Sequence, residues 1–308
     1  MADSTSPDDR AFAGVELGGT KAIAVFWRDG RIVDRVVVPT GDPQQTLAAL
    51  GDWLAEHPLR AAFAGLGIAS FGPLRLDPAA ADYGHILATP KPGWAGAPVF
   101  AALAERVACP AALDTDVNAA ALAEYRWGAG QGCSSVVYLT IGTGVGGGIA
   151  IDGRPVHGAL HPELGHLRLR RAAGDAFAGT CPFHGDCIEG LIAGPALAAR
   201  FAGDIHAASA DDPRRGHLAA DLAQLFAALI LAVSPQRILV GGGVGLGVPG
   251  LLDVAIAQVP AILGGYLPQL DDAGLRAMIV PPQLGADAGP LGAIALAQSG
   301  VADGVHGG

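Results

Sequence analysis

What this chain has little of narrows it first. Of its 19 basic residues only Lys21 and Lys91 are lysines. Where arginine is the habit, a lysine marks a place that wants a compact point charge. Cysteine is scarce, four in 308 residues, so no disulfide framework holds the fold. Basic charge is short overall: the formal net charge is -10, which argues against a nucleic-acid partner. Long apolar runs are missing too. The longest, 222–233, is broken by Gln224 and ends at Ser234-Pro235, which reads as too short to span a bilayer. Residues 1–10 are polar and acidic, without the basic start and apolar run of a secretory signal. These absences point to a cytoplasmic protein with neither nucleic acid nor membrane as partner.

What is present fits a large packed core. Apolar residues make up 51% of the chain, and its length suffices for two lobes. The centre of the reading is Leu113-Asp114-Thr115-Asp116-Val117-Asn118. An apolar stretch, 111–113, reads as the end of a buried strand, and 119–127 reads as a buried helix. Open α/β sheets place ligands at that end of a strand. One carboxylate there could accept a hydroxyl proton while the Asn118 amide holds a polyol. The plainer alternative is that these residues only cap the helix.

Glycine is abundant and clustered. Leu17-Gly18-Gly19-Thr20-Lys21 lies between strands at 12–16 and 22–27. It is no Walker loop, because a β-rich segment follows it rather than a helix. A hairpin whose glycines bring backbone N–H groups to a phosphate fits, with Thr20 and Lys21 adding a hydroxyl and a charge; an ordinary hairpin is the alternative. The plan repeats at 135–151, where Ile141-Gly142-Thr143-Gly144-Val145-Gly146 joins two strands. The repeat suggests an internal duplication whose two lobes could clamp one polyphosphate. A third run, Gly241-Gly242-Gly243, follows a strand at 237–240 and allows a flat ring or a phosphate to touch backbone, or simply close helix packing.

The remaining expectations are strands at 31–38, 63–69 and 278–281. Helices are expected at 46–56, 98–107, 188–201 (broken at Gly194-Pro195), 218–233, 248–263 and 288–298. The last ten residues read as frayed. Segment 76–98 is irregular and contains Thr89-Pro90-Lys91-Pro92-Gly93-Trp94; it reads either as a stiff presented pair, Lys91 and Trp94, or as a surface loop whose Trp94 packs inward. Cys181, His184 and Cys187 lie three apart, so one tight loop can offer two thiolates and an imidazole to Zn²⁺. His166 is the natural fourth ligand and His161 the reserve. Cys109 and Cys133 lack neighbouring ligands and read as small core residues.

Together these motifs resemble the ROK family of repressors, open reading frames and sugar kinases. The carriers are the Glu16 to Lys21 stretch, Asp116-Val117-Asn118, Gly142-Thr143-Gly144-Val145-Gly146, Glu163-Leu164-Gly165-His166, Cys187-Ile188-Glu189 and Gly241-Gly242-Gly243. The loops at 68–73 and 89–94 and the Cys-x-x-His-x-x-Cys spacing resemble its zinc-containing bacterial fructokinases.

The resemblance implies an α/β chain with the actin-like ATPase (ribonuclease H-like) fold, two duplicated lobes around a cleft. One lobe would cover 11–117, completed by a helix at 288–299. The other would cover 118–287 and carry the zinc loop. It implies an ATP-dependent transfer to the 6-hydroxyl of a hexose, D-fructose above all, with glucose or mannose as alternatives. Asp116 would be the base. Gly72, Lys91, Asn118, Glu163, His166 and Glu189 would hold sugar. Gly18, Gly19, Thr20, Lys21, Thr143, Gly144, Pro195, Gly241, Gly242 and Gly243 would hold nucleotide. Mg²⁺ would arrive with ATP, and a structural Zn²⁺ on His166, Cys181, His184 and Cys187 would orient His166 and Glu163. A homodimer is implied as well. Two positions depart from relatives: Glu16, where many have Asp, and Thr115, where glucose-type relatives often have Asn. Thr115, being shorter, would leave the hydroxyl pattern less constrained, while Lys91 and Trp94 would meet ring oxygens and an apolar sugar face. A DNA-binding repressor would need a helix-turn-helix domain ahead of Glu16. A non-catalytic sensor or scaffold would not need Asp116, Asn118, Glu163, His166 and Glu189 together.

Overall fold

The computed structural model describes residues 10–58, 60, 63–203, 205–209 and 211–302. The readings made for 1–9 and for 303–308 lie outside the described residues.

In chain order the elements begin with strands β1 (Ala11–Leu17), β2 (Lys21–Arg28) and β3 (Arg31–Pro39), helix α1 (Pro43–Glu56), β4 (Phe63–Ser70), α2 (Val99–Ala104), β5 (Ala111–Thr115) and α3 (Asp116–Trp127). There follow β6 (Ser135–Ile141), β7 (Val145–Ile151), β8 (Arg154–Pro155), α4 (Ile188–Ile192), α5 (Gly194–Arg200) and α6 (Pro213–Val233). The chain continues through β9 (Arg237–Gly241), α7 (Gly242–Gly245), α8 (Leu251–Leu263), α9 (Asp272–Met278), β10 (Ile279–Val280) and α10 (Ala288–Ala302).

The chain forms two compact units. The first holds the chain up to Arg126, Arg154–His161 and the segment from Ala286; the second holds Trp127–Gly153 and Pro162–Gly285. The expected division at 117/118 and 287/288 is therefore corrected. Helix α3 stays with the first unit because α10 lies directly on it: a Cβ on Gly292 would stand 2.4 Å from the Ala119 backbone. Bare glycine lets the two helices approach that closely.

The first unit's sheet has the order β3-β2-β1-β4-β5. Strands β1 and β2 are antiparallel, as are β2 and β3, while β4 and β5 run parallel to β1. The central strand β1 is buried along nearly its whole length, as a strand covered on both faces must be. Its three parallel strands end in register, Leu17 beside Ser70 and Ser70 beside Thr115. The first glycine turn, the Phe71-Gly72-Pro73 loop and Asp116 therefore all leave the sheet at one edge. Trp94 sits in this unit's core with no exposed surface, and its Nε1 donates to the Gly41 carbonyl at 2.9 Å. The presented Trp94 is thus corrected to the inward-packed one.

The second sheet has the order β10-β9-β6-β7-β8, with β6 and β7 antiparallel and β9 and β10 parallel to that core strand. Read from the hairpin side, this is the order of the first sheet, so the glycine-hairpin repeat extends to the whole sheet. The break at Gly194-Pro195 is present, with Ala193 extended between α4 and α5.

Helix α6 begins earlier than expected, at Pro213. Its 21 residues, with a mean hydropathy of 1.7, are long and apolar enough to cross a membrane by length and composition, which corrects the length argument. Yet 56% of that apolar window is buried inside the protein, and Asp221 within it pairs with buried Arg200 at 2.6 Å. It packs as the core helix of the second unit. Helix α9 was not expected. It is a short segment with Gly274 inside, started by Asp271, whose side chain accepts from the Gly274 amide at 2.8 Å.

Candidate active site

In the first unit, α3 opens with a carboxylate that the helix does not need. The Asn118 amide donates to Thr115 Oγ1 at 3.2 Å, so Thr115 supplies the cap. Thr115 is 3% exposed and its hydroxyl is occupied in this way. Asp116 accepts from the neighbouring Val117 amide at 2.9 Å. It keeps some surface, but the protein atoms around it deny it most of its water, and this burial pushes its pKa up to about 6.

Glu16, at the end of β1, lies so close to the start of α10 that a Cβ on Gly289 would fall 2.2 Å from its Cδ. Burial first, and the Asp116 charge second, push Glu16 up to about 7, against the opposing pull of Lys21. The Asp116 charge thus adds to the proton affinity that burial already gives Glu16.

Asp114 plays a different part. It is 2% exposed and accepts from the Thr115 amide at 2.7 Å, from Asn118 Nδ2 at 2.8 Å and from His157 Nε2 at 3.0 Å. Asn118, the only asparagine in the chain, is 1% exposed. Its carboxamide, expected to hold sugar, is buried and donates to Asp114. His157 escaped the sequence reading because no spacing ties it to Asp114.

The first glycine turn closes through the Gly18 amide on the Lys21 carbonyl at 3.1 Å, leaving Gly19, Thr20 and Lys21 exposed. Lys91 Nζ donates to the Gly19 carbonyl at 2.5 Å and lies 5.9 Å from the Phe71 ring centroid. Lys91 therefore sits at the glycine turn expected to meet nucleotide. Gly72 leaves room for His161: a Cβ there would be 3.3 Å from the His161 ring. His161 Nε2 accepts the Leu74 amide at 3.0 Å, which removes it as the reserve metal ligand.

The second unit has its own glycine site. The Gly142 amide closes on the Gly144 carbonyl at 2.9 Å, and the Gly194 amide donates to the Gly142 carbonyl at 2.7 Å, bringing Pro195 to the turn that carries Thr143. Glu189 Oε2 accepts the Val145 amide at 3.1 Å, and a Cβ on Gly144 would come within 2.8 Å of that oxygen. Glu189 thus braces this turn with one oxygen. Gly241 is the partner of Thr140 in the β6–β9 pairing. Gly242 has φ +85°, and a Cβ on it would meet the Ile141 carbonyl at 2.4 Å. Only glycine fits there, so the third glycine run lies against the second, with Gly243 open. Glu163 is exposed and precedes the short turn Leu164–His166.

The four predicted metal ligands converge in this unit. The ligand atoms of His166, Cys181, His184 and Cys187 all lie within 4.8 Å of one another. Cys181 Sγ is 3.9 Å from His166 Nδ1 and 3.7 Å from His184 Nδ1, and Cys187 Sγ is 3.6 Å from His166 Nδ1. Tetrahedral bonds of about 2.3 Å to sulfur and 2.0–2.1 Å to nitrogen would separate S from N by about 3.6 Å. Burial pushes the Cys187 thiol up to about 11, so a thiolate there needs a cation beside it. Geometry and donor chemistry both fit a metal ion. Cys109 and Cys133 take no part; both are half-buried, and Cys109 packs against the first unit's core.

Residues 12–300 match the profile of the ROK family. The chain belongs to the ROK family. It is 40% identical over 296 residues to a fructokinase of Zymomonas mobilis, covering 94% of this chain and 97% of that protein. It is 38% identical over 288 residues to a fructokinase of Pediococcus pentosaceus, covering 92% and 96%. Among solved structures it is similar to a ROK hexokinase of Thermus thermophilus, with a TM-score of 0.77 and 31% identity over 95% of this chain and 99% of that one. The paired sheets are the ROK family's actin-like ATPase fold. In ROK terms, the glycine hairpins close each sheet's antiparallel side, and Asp116 stands where β5 hands over to α3.

Proposed function

We propose that this ROK family chain is an ATP-dependent sugar kinase that transfers a phosphoryl group to the 6-hydroxyl of a hexose, with D-fructose preferred. The observation that carries the reading is Asp116: a carboxylate with its pKa near 6, unneeded by the helix it opens, at the sheet edge where the first glycine turn also leaves.

Phosphoryl transfer asks a protein mainly for positioning and charge stabilisation. Asp116 takes the proton of the attacking hydroxyl as general base. Gly18, Gly19, Thr20 and Lys21, with Lys91 beside them, offer N–H groups, a hydroxyl and positive charge to phosphate. Thr143, Gly144, Pro195 and Gly241 to Gly243 offer the second nucleotide surface. Glu163, His166 and the remaining oxygen of Glu189 hold sugar hydroxyls. Glu16 would hold the water of an Mg²⁺ ion arriving with ATP, and that ion would supply charge to neutralise phosphate. Zn²⁺ on His166, Cys181, His184 and Cys187 is structural, because four protein ligands leave it no open position. The family resemblance also supports a cytoplasmic homodimer.

Fructose as the acceptor rests on the two fructokinase relatives and on the Phe71-Gly72-Pro73 loop, since Trp94 and Thr115 are buried. The test is a coupled assay of kcat/KM for fructose, glucose and mannose at saturating ATP. Glucose or mannose ahead by tenfold refutes the fructose preference and leaves the kinase. No turnover with any hexose refutes both.

A further inference from the structure

The geometry points to His157 as a hexose-recognising residue, held in place by Asp114 and Asn118, that decides which hexose the enzyme prefers. This rests on the sugar-kinase reading. It adds a contact residue that none of the site motifs contains.

Asp114 stands two residues before Asp116 and is almost wholly buried. A buried carboxylate is costly unless donors satisfy it. Thr115 and Asn118 supply two donors to Oδ1, and His157 Nε2 lies 3.0 Å from Oδ2. A carboxylate accepts, so Nε2 must carry the proton, and the neutral ring then keeps Nδ1 as an acceptor. Asn118 Nδ2 also lies 3.4 Å from His157 Nε2; these are two donors converging on one carboxylate, not a bond between them.

Neither Asp114 nor Asn118 has surface with which to reach a ligand, at 2% and 1% exposed. The imidazole does: the His157 side chain is 40% exposed, and Nδ1 has no hydrogen-bond partner among the described residues. A merely solvated histidine would need no buried carboxylate behind it. A carboxylate that fixes a histidine's tautomer and ring angle is how outer groups aim a working imidazole. The hydrogen bond to Asp114 also raises the His157 pKa, and a ring that takes up that second proton donates to a sugar hydroxyl from Nδ1 instead of accepting. In the neutral tautomer Nδ1 accepts one hydroxyl of the sugar. A site built to pair with a particular hydroxyl discriminates against an epimer or isomer that places it elsewhere.

The test compares the unmodified chain with His157→Leu and His157→Gln. Hexose binding is measured by calorimetry without nucleotide, and kcat and KM are measured for fructose, glucose and mannose. His157→Leu should raise KM and Kd for the preferred hexose about tenfold, leave kcat within about threefold and the ATP KM unchanged, and shrink the preference among hexoses. Gln can donate to Asp114 and present an acceptor outward, so His157→Gln should recover most of the preference. Hexose ratios kept within twofold by His157→Leu, or an equal loss of kcat on all three sugars, would overturn the proposal. So would His157→Gln behaving like His157→Leu. If His157→Leu does not fold, nitrogen NMR of the unmodified protein decides, and an Nδ1–H tautomer for His157 overturns the assignment. Failure of the unmodified chain to phosphorylate any hexose refutes the kinase reading instead, while calorimetry still reads His157.

Discussion

Replacing Asp116 by asparagine should damage catalysis and stabilise the fold at the same time. Asp116→Asn keeps the shape and removes the base, so kcat should fall about 10²–10⁴-fold with hexose and ATP affinities nearly unchanged. The stability effect follows from the raised pKa. Burial lifts Asp116 from 3.8 to about 6, so at pH 8 the folded state bears an ionised, poorly hydrated carboxylate. That difference converts to about 3 kcal/mol at most, and partial access to water brings the figure nearer 1–2 kcal/mol. The sign is that of a carboxylate whose folded pKa lies above its unfolded one. The cost is complete above about pH 6, is relieved as the folded state takes up the proton, and is gone below about pH 4. Asp116→Asn should therefore melt higher than the unmodified protein at pH 8 and with it near pH 4. Activity gives the second readout. With a base of pKa about 6, roughly one molecule in eleven remains ionised at pH 5, so kcat/KM should drop about tenfold from its plateau. Glu16, held at about 7 partly by the Asp116 charge, should titrate lower in Asp116→Asn. The assays are denaturant melts at both pH values and a pH–rate profile of kcat/KM. An acid limb centred near the ordinary aspartate value of about 4, or no stability gain at pH 8, would refute the reasoning.

The purified protein should carry about one Zn²⁺ per chain by elemental analysis. Cys187→Ser should raise the KM for ATP as well as for hexose, because Cys187 leads directly into the helix whose Glu189 braces the Val145 amide; fully active protein without metal would sink this. Trp94→Phe removes the buried bond to the Gly41 carbonyl and should cost about 1–2 kcal/mol while hexose KM stays put, and a large rise in hexose KM would return Trp94 to the sugar. Gly242→Ala drives a Cβ against the Ile141 carbonyl at φ +85° and should cost about 2 kcal/mol or more, with weaker ATP binding seen in calorimetry; an unperturbed variant would contradict the packing of the third glycine run.

Much of this protein was legible in the order of its residues. Local signals sufficed for the glycine hairpins, because the glycines cluster between flanking strands that are apolar and β-rich. The helix break at Gly194-Pro195 and the convergence of the Cys-x-x-His-x-x-Cys residues were legible for the same reason: proline's missing N–H and that spacing act over a few residues. The repeat of strand, glycine turn and strand announced the duplicated sheets, whose common order the structure carries through.

Other features depend on what distant segments do to one another, and no local pattern encodes that. Trp94 between prolines reads equally as presented or packed, and only the Gly41 carbonyl, 53 residues away, settles it. Asp114, Asp116 and Asn118 look interchangeable in sequence. The fold buries the first and third and leaves the second partly open, because Thr115 takes over the cap and His157 arrives from 43 residues further on to complete Asp114. Sequence determined which chemistry this chain carries, since residue types and short spacings do that. Tertiary structure alone decided which carboxylate is dry, which is occupied and which stands ready, since burial and hydrogen-bond partners belong to the packed chain and not to any one stretch of it.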